Sequence, residues 1–354
     1  MDKYFLLPLN FSYGTEAKEN IKNKNALPLA GGSIGFSSCK LISHDPSERK
    51  NTFSIPIDEY EVKKSNFINK NSFKALVNNL RKNRSSFMGL NNKISHIIGV
   101  VNVTPDSFST KGQSISLKEA IEKCIKLSEE GASIIDIGGE STRPGASKVD
   151  EEEEQKRIIP VIKEVAKQNI LLSCDTRNTS TMIKAIDAGV KIINDISALS
   201  DEGSAKIIYE NKVGVILMHM KGNPANMQNE PEYKNVTIEI LKFLENRKKF
   251  ANNAGITNDK IILDPGIGFG KTDEHNIKIF KELSILHNLP CNIVVGASRK
   301  SLIGNITNTS DPNDRLPGSL IFALLAIMQG VQFLRVHDVK ETVQALNIWK
   351  KLYN

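Results

Sequence analysis

The chain of 354 residues is 40% hydrophobic and 25% charged, with a formal net charge of +7, which excludes a disordered or fibrous protein and allows one large domain or two. Near the C-terminus, the longest stretch without a strongly polar residue, 320–328, is shorter than the about 20 apolar residues that cross a membrane. The first residues lack the cleavage pattern of a signal peptide, so we expect a cytoplasmic protein.

The positive charge lies entirely in the first quarter of the chain. Residues 1–93 contain 15 Lys and Arg against 8 Asp and Glu, and the remaining residues have equal numbers of both signs. The end of this segment is rich in Asn, Lys and Ser, as in a linker or a basic surface, so we place a domain boundary near residue 93. Nucleic-acid binding is an alternative for this segment, but no interleaved aromatic and basic residues support it.

The role of residues 1–93 stays open at this level. A Gly-Gly turn after a short apolar run favours a small α/β or β-rich unit. Such a unit could carry an accessory activity, or it could be a structural or dimerisation element.

The four cysteines are scattered, without a C-x-x-C pair. We therefore expect reduced and mostly buried thiols, and neither a disulfide framework nor a zinc site.

From residue 95 onward, a short β-branched apolar run recurs eight times and ends each time in a polar residue. Continuously apolar runs are typical of parallel strands that are covered on both faces. The polar residues at the ends of these runs are Asn102, Asp136, Asp175, Asn194 with Asp195, His219, Asp264, Ser298, and His337 with Asp338.

Helical patterns lie between most of these runs. After the first run, Ser116 and Glu119 have capping-box spacing, and Gly131 suits the position just past the helix end. Eight strands that alternate with helices predict an α/β protein with a (β/α)8 TIM barrel, a fold of about 250 residues, over residues 94–354. A doubly wound open sheet is the alternative, because a sequence shows the number of strands and not the closure of the barrel.

In a (β/α)8 barrel, the active site forms at the C-terminal ends of the strands. The polar residues at the strand ends should therefore converge on one mouth. An acid in such a position also commonly caps the next helix or closes a turn, and we expect that role for Asp136, Asp195 and Asp338.

Three loops at the predicted mouth add positive charge. The loop after the second strand places a guanidinium beside a rigid Pro-Gly turn. The loop after the seventh strand places two cations before a helix N-terminus. At the end of the last strand, two basic residues that are two positions apart face the same side. A single basic pair is as often solvated surface, but three sets favour a polyanionic ligand such as a diphosphate. The residues are Arg143, Arg299, Lys300, Arg335 and His337.

Asp175, Asn194 and Asp264 form a different set at the same mouth. Carboxylates and an amide suit a flat, nitrogen-rich ring, because an amidine-like edge pairs with a carboxylate through two parallel hydrogen bonds. The glycine-rich stretch 264–272 lacks the spacing of a phosphate-binding P-loop. We expect this stretch to approach a planar ligand closely, with Phe269 stacking on it.

Taken together, these motifs resemble the dihydropteroate synthase family, from about Ile97 to the C-terminus and in the family's order. They include NVTPDSFS, IDIGGESTRPGA, LDPGIGFGK, GASRKSLIG and RVHDVKET. The resemblance implies that 6-hydroxymethyl-7,8-dihydropterin diphosphate condenses with p-aminobenzoate, which gives 7,8-dihydropteroate and releases diphosphate in folate biosynthesis. It also implies a requirement for Mg2+, a site targeted by sulfonamides, and a homodimer, with no nucleic-acid or membrane partner.

The resemblance also assigns residue roles. Asn102 would coordinate Mg2+ together with diphosphate oxygens. The pterin would be held by Asp175, Asn194, Asp264 and Lys300, with Met218 also against the substrate. The diphosphate would be bound by Thr142, Arg143, Ser301, Arg335 and His337, and the aminobenzoate would be flanked by Pro144, Phe269 and Ser298. Catalysis would depend on Arg143, Asp175, Lys300, Arg335 and His337.

The predicted lid after Asn102 departs from the family pattern. The family commonly continues with Asp-Gly-Gly, whereas this chain has Thr110 and Lys111 before Gly112. The missing acid leaves open a non-catalytic pterin-binding homologue. A pterin-dependent methyltransferase-like barrel is a third hypothesis, but its substrate carries no leaving diphosphate, so the three cationic loops argue against it.

Overall fold

A computed structural model describes residues 4–43, 52–55, 68–91, 95–104, 116–141, 143, 145–146 and 148–353. The front of the chain contains strands β1 (Tyr4–Ser12), β2 (Leu27–Pro28), β3 (Gly35–Ser43) and β4 (Thr52–Ser54), and helices α1 (Gly14–Lys22) and α2 (Lys70–Arg81). β3 is the centre of an antiparallel sheet, since it pairs with β1, β2 and β4. We call the described residues before 92 the front unit.

The remaining strands are β5 (His96–Asn102), β6 (Ile134–Gly138), β7 (Leu172–Asp175), β8 (Ile192–Asp195), β9 (Gly214–Met218), β10 (Ile261–Asp264), β11 (Asn292–Val295) and β12 (Phe333–Val336). They form a closed barrel in which each strand pairs with its sequence neighbours and β12 pairs with β5. The closure confirms the predicted (β/α)8 barrel and excludes the open doubly wound sheet.

Helices cover the barrel on the outside. They are α3 (Leu117–Glu129), α4 (Glu151–Ala166), α5 (Thr179–Asp187), α6 (Ser204–Glu210), α7 (Val236–Asn253), α8 (Asp273–Lys281), α9 (Ser301–Thr307), α10 (Leu316–Met328) and α11 (Val339–Tyr353). The predicted capping box of α3 is present, with Ser116 and Glu119 bonded to each other's backbone N–H groups. Gly131 follows the helix with a φ of 108°, as expected for a residue just past a helix end.

Inside the barrel, the side chains change from apolar to polar along the strands. A layer near the N-terminal ends contains Ile98, Ile134, Ile192, Ile216, Ile262, Val294 and Phe333. Two residues further along four of these strands, the inward positions hold Asp136, Asn194, Asp264 and Arg335. Because side chains alternate along a strand, these polar groups share the interior with the apolar layer and lie above it.

The front unit shares its core with the barrel. Phe5, Leu7 and Ile42 belong to the same buried cluster as the outer faces of the barrel strands. Asn288 accepts from the backbone N–H of Leu6 at 3.1 Å and donates to the carbonyl of Leu6 at 2.8 Å. The front unit therefore packs against the barrel as part of one structure.

Phe87 closes the N-terminal end of the barrel. Its ring is fully buried in the apolar layer, edge-on to Phe333 with the ring centres 5.7 Å apart. A Cβ built on Gly214 would lie 2.6 Å from Cζ of Phe87, so the ring fills the space that this glycine leaves. Residue 87 precedes the predicted boundary near residue 93, so the front unit reaches into the barrel.

All four cysteines are buried, which confirms that part of the expectation, and no disulfide joins them in the described structure. Among the described residues, no helix combines the length and the apolar character that crossing a membrane requires.

Candidate functional site

The polar residues inside the barrel lie at its C-terminal mouth, where the site was predicted. Asp136, Asp175, Asn194 and Asp264 are all buried. Asp175 and Asp264 are the last residues of β7 and β10, and Asn194 is the last but one of β8. Together they form an acidic floor beneath the mouth.

Arg335 projects from β12 onto this floor. Its Nε lies 2.7 Å from Oδ2 of Asp136, and its Nη2 lies 2.8 Å from Oδ2 of Asp175. Asn194 donates from Nδ2 to the same oxygen of Asp136 at 2.9 Å. We call Asp136, Asp175 and Arg335 the Arg335 clamp, because these contacts tie β6, β7 and β12 together across the barrel.

The clamp corrects the expected role of Asp136. Its side chain is fully buried and bonds Arg335 and Asn194, so the capping interpretation is wrong for this residue. The physical reason is its place in the strand: Asp136 points inward from the middle of β6, while the following helix, α4, is capped by Asp150.

The other two expected capping acids differ from each other. Asp195 closes a turn, since its carboxylate accepts from the backbone N–H groups of Ser197 and Leu199 at 2.7 Å and 2.6 Å. The carboxylate of Asp338 instead accepts from Nε of Arg299 at 3.0 Å. Arg299 thus forms an ion pair with Asp338, whereas the second cation of this loop contacts the glycine-rich stretch.

That cation is Lys300, which lies over the glycine-rich loop of residues 265–270. Its ammonium donates to the carbonyl of Ile267 and lies 4.5 Å from the centre of the Phe269 ring, a cation–π distance. Gly268 has a φ of 80°, and a Cβ there would come within 3.3 Å of Cδ of Lys300. The stacking of Phe269 on a planar ligand stays a prediction.

Burial shifts the pKa values of the floor and of Lys300 in opposite directions. It lowers the pKa of Lys300 to about 8, although the charge of Asp264 opposes the shift. It raises the pKa of Asp264 against the opposing charge of Lys300, and it raises the pKa of Asp175 against that of Arg335. The mouth therefore combines acids that resist ionisation with an amine that loses its proton readily, a pattern common at functional sites.

His337 and Ser298 form a pair at the ends of β12 and β11. Oγ of Ser298 accepts from the backbone N–H of His337 at 3.2 Å and lies 3.1 Å from its Nδ1. Burial, reinforced by the charges of Arg335 and Arg299, lowers the pKa of His337 to about 3. His337 is therefore neutral near pH 7 and offers a hydrogen bond to a ligand without adding to the positive charge.

The remaining described site residues lie around the same rim, except one. Asn102 is the half-buried last residue of β5, Met218 is the buried last residue of β9, and Ser301 is exposed at the start of α9. His219 follows β9 but packs edge-on against Phe243, with the ring centres 4.9 Å apart. The expectation that His219 joins the mouth is wrong.

The arginine loop after β6 is described only in part. Arg143 is exposed, and the backbone N–H of Gly145 donates to the carbonyl of Pro224 at 2.9 Å, which joins this loop to the one after β9. Thr142, Pro144 and the predicted lid with Thr110 and Lys111 lie outside the described residues.

Comparison with known proteins decides the family. The profile of the family described as pterin binding enzyme matches residues 98–337. The dihydropteroate synthases of Escherichia coli strain K12 and Neisseria meningitidis serogroup C are 43% and 44% identical to the chain, over 72% of it and over 90% and 92% of their own lengths. The chain belongs to the dihydropteroate synthase family. This confirms the resemblance drawn from the motifs and goes against the methyltransferase-like alternative.

Solved dihydropteroate synthase structures have the same barrel. The Xanthomonas albilineans enzyme with 4-aminobenzoic acid has a TM-score of 0.70 at 41% identity, over 74% of this chain and 94% of that one. The Yersinia pestis enzyme in a sulfonamide drug complex has a TM-score of 0.72 at 40% identity, over 76% and 98%. These enzymes match over almost their whole length, and the family profile begins at residue 98, so the front unit is additional to them.

Proposed function

We propose that the chain catalyses the transfer reaction of its family, in which 6-hydroxymethyl-7,8-dihydropterin diphosphate condenses with p-aminobenzoate to give 7,8-dihydropteroate and diphosphate. The observation that carries this proposal is the meeting of an acidic floor, Lys300 and Arg335 at one barrel mouth. Among the relatives, one Xanthomonas albilineans structure is a complex with 7,8-dihydropteroate.

Incubation of the pure protein with both substrates and Mg2+ tests the reaction. We expect diphosphate release that depends on p-aminobenzoate, together with formation of 7,8-dihydropteroate. If the protein binds the pterin diphosphate but releases none, it is instead the non-catalytic homologue that the altered lid sequence left open.

The acidic floor is proposed to bind the pterin ring. Oδ1 of Asp264 accepts from the backbone N–H of Gly266 at 2.7 Å, and in the described part of the chain its second oxygen has no protein partner. A ring N–H can donate to that oxygen. Asp175 and Asn194 would hold the same ring beside Lys300 and Met218, and the aminobenzoate would lie against Phe269, Ser298 and Pro144.

The cations at the rim are proposed to bind the diphosphate. Nε and Nη2 of Arg335 serve the clamp, while its Nη1 has no partner among the described residues and can donate to a phosphate oxygen. One guanidinium can thus contact both the floor and the leaving group. Arg143, His337, Thr142 and Ser301 would complete this end of the site.

Asn102 is the proposed protein ligand for Mg2+. It offers one amide oxygen at the mouth, and the described residues contain no cluster of three His, Cys, Asp or Glu that could hold a metal. This fits an ion that takes most of its shell from water and substrate oxygens, as Mg2+ commonly does. When bound, Mg2+ would neutralise charge on the departing diphosphate.

The mechanism follows from where charge develops. The aromatic amine is a competent nucleophile, so loss of diphosphate is the demanding step and leaves positive charge on the pterin. Asp175 lies where it can stabilise that charge, and Arg335 and Arg143 lie where they can stabilise the leaving group. A preorganised group of this kind contributes about 3–4 kcal/mol to the transition state, and no covalent intermediate with the enzyme is required.

Replacing Lys300 by alanine is expected to lower turnover at least about tenfold, which corresponds to about 1.4 kcal/mol. Since the pKa of Lys300 is about 8, the ammonium is lost as the pH rises through that value. We therefore expect kcat/KM for the pterin diphosphate to fall above about pH 8 in the parent and to lack this decline in the variant. Lys206→Ala, which removes an exposed lysine on α6, is the control, and wild-type turnover in Lys300→Ala would contradict the assignment.

We also propose a homodimer formed through α10 and α11. Each helix carries a pair of exposed apolar residues four positions apart, Ile321 with Leu325 and Ile348 with Leu352. Leu325→Glu is expected to convert the dimer to monomers in sedimentation measurements. Ile183→Glu, at a similarly exposed position on α5, is the matched control, and an unchanged sedimentation coefficient in Leu325→Glu would count against this interface.

The division of the chain at residue 93 and the cytoplasmic location stay predictions from the sequence.

A further inference from the structure

Lys271 is a buried lysine that the proposed reaction does not use. It directly follows the glycine-rich loop of residues 265–270 and is only 3% exposed. Its Nζ lies 2.8 Å from the carbonyl oxygen of Gly266, 2.9 Å from that of Phe269 and 3.3 Å from that of His219. It also lies 2.9 Å from Nδ1 of His219. Three carbonyl oxygens and one ring nitrogen thus surround Nζ of Lys271, with no carboxylate among these contacts.

The contacts of Lys271 fix the loop at both ends and tie it to β9. Gly266 is the second residue of the loop, Phe269 is its last but one, and His219 directly follows β9. The backbone of Gly266 already lies against His219, since a Cβ on Gly266 would come within 1.9 Å of the carbonyl oxygen of His219. The Lys271 side chain therefore holds a loop that has little room to move.

The same loop carries the surroundings of Lys300. The carbonyl of Ile267 accepts from its Nζ, and the Phe269 ring lies beneath that atom. Ile267 lies between the two loop residues that Lys271 holds, Gly266 and Phe269, and the ring belongs to the second of these two. A shift of the loop would move the acceptor and the ring together, and Lys300 with them.

We propose that Lys271 is a positioning residue, which acts through the glycine-rich loop to place Lys300 and Phe269 for the substrates. This inference rests on the proposed function, because it assigns Lys271 to the same site. Lys271 itself does not touch the substrates. Its effect is expected mainly in the KM values of both substrates and less in kcat, since it aligns binding groups and does not contact the reacting bond.

The test compares Lys271→Met, which keeps the length of the side chain and removes all donors, with Lys271→Gln, which keeps two N–H donors without the charge. We expect kcat/KM for the pterin diphosphate to fall at least tenfold in Lys271→Met, mostly through KM, and to recover in part in Lys271→Gln. Lys206→Met makes the same substitution at an exposed lysine of α6 and is expected to stay within twofold of the parent.

Stability measurements separate positioning from simple unfolding. If Lys271→Met does not fold, Tyr233→Phe provides a milder change, because the Tyr233 hydroxyl donates to the carbonyl of Gly270 in the same loop at 2.7 Å. This variant should raise both KM values in the same direction with an unchanged melting temperature. The inference is overturned if folded Lys271→Met has the KM values of the parent, whether or not its kcat is lower. An inactive parent would instead overturn the proposed function.

Discussion

Replacing Arg335 by methionine is expected to lower turnover about a hundredfold, the usual cost of losing one preorganised donor to a developing anion. The substitution keeps much of the side-chain volume but removes the guanidinium from Asp136 and Asp175. Breaking a buried ion pair from one side costs about 3–5 kcal/mol, because the remaining charge is left without a partner. Steady-state kinetics and urea unfolding measure the two effects separately.

The pH dependence of that stability loss has a definite sign. Burial raises the pKa of Asp175 even with Arg335 present, so without Arg335 the carboxyl prefers its protonated form still more strongly. When the pKa of a group is higher in the folded state than in the unfolded state, the free energy of unfolding of the protein falls as the pH rises through the folded value. We expect Arg335→Met to be closest to the parent at acid pH and to fall further behind it as the pH rises.

A double variant distinguishes the clamp from an ordinary binding arginine. Arg335→Met with Asp136→Asn removes one of the two unpaired charges, so it should be more stable than Arg335→Met alone while remaining inactive. If the effects of the two substitutions on the free energy of unfolding are instead additive, the side chains of Asp136 and Arg335 do not stabilise each other in the clamp.

Removing residues 1–93 is expected to prevent stable folding of the barrel. The deletion takes away Phe87 from inside the strands, and Phe5, Leu7 and Ile42 from the shared core. The single change Phe87→Ala alone should cost about 3–5 kcal/mol, as expected for emptying a buried aromatic site. Urea unfolding of the variant and recovery of soluble shortened protein are the measurements.

Gly214→Ala supplies the matched control for Phe87. In the parent, a methyl group at this position would meet the Phe87 ring at 2.6 Å, so it should destabilise the fold. With Phe87→Ala, the same methyl group has room and should restore part of the lost stability. For the deletion of residues 1–93, the contradicting result is a soluble shortened chain with full activity, which would show that the front unit is dispensable for both folding and catalysis.

The barrel could be predicted because its eight strands are apolar on both faces, a pattern that few other arrangements require. The role of Asp136 was missed although a signal existed. Ile134 and Asp136 are two residues apart on β6, so their side chains face the same side of the sheet. Because Ile134 faces the barrel interior, Asp136 does too, and from there it cannot cap a helix on the outside. The contact of Arg335 with the floor could not be predicted, since it depends on how far a long side chain reaches across a closed ring.

The front unit shows a second kind of limit. Its basic, Asn-rich end predicted a linker or a surface, but residues 70–81 form α2, in which Phe73, Leu76 and Leu80 are buried, and Arg84 after this helix is buried as well. Phe87, a few residues further along the same segment, lies buried inside the N-terminal end of the barrel. Nothing in the local sequence distinguishes that residue from an exposed one, because the cavity that it occupies is built by strands from the rest of the chain.

The hydrogen bonds between Leu6 and Asn288 join residues that are 282 positions apart, and that between Tyr13 and Met328 spans 315 positions. During synthesis, the front unit leaves the ribosome before the barrel does. Its contact residues in the barrel are therefore made only when most of the polypeptide has been synthesised. Such high contact order slows folding and leaves apolar surface open in the meantime. A nascent chain of this protein should therefore depend on chaperones until its last quarter has emerged.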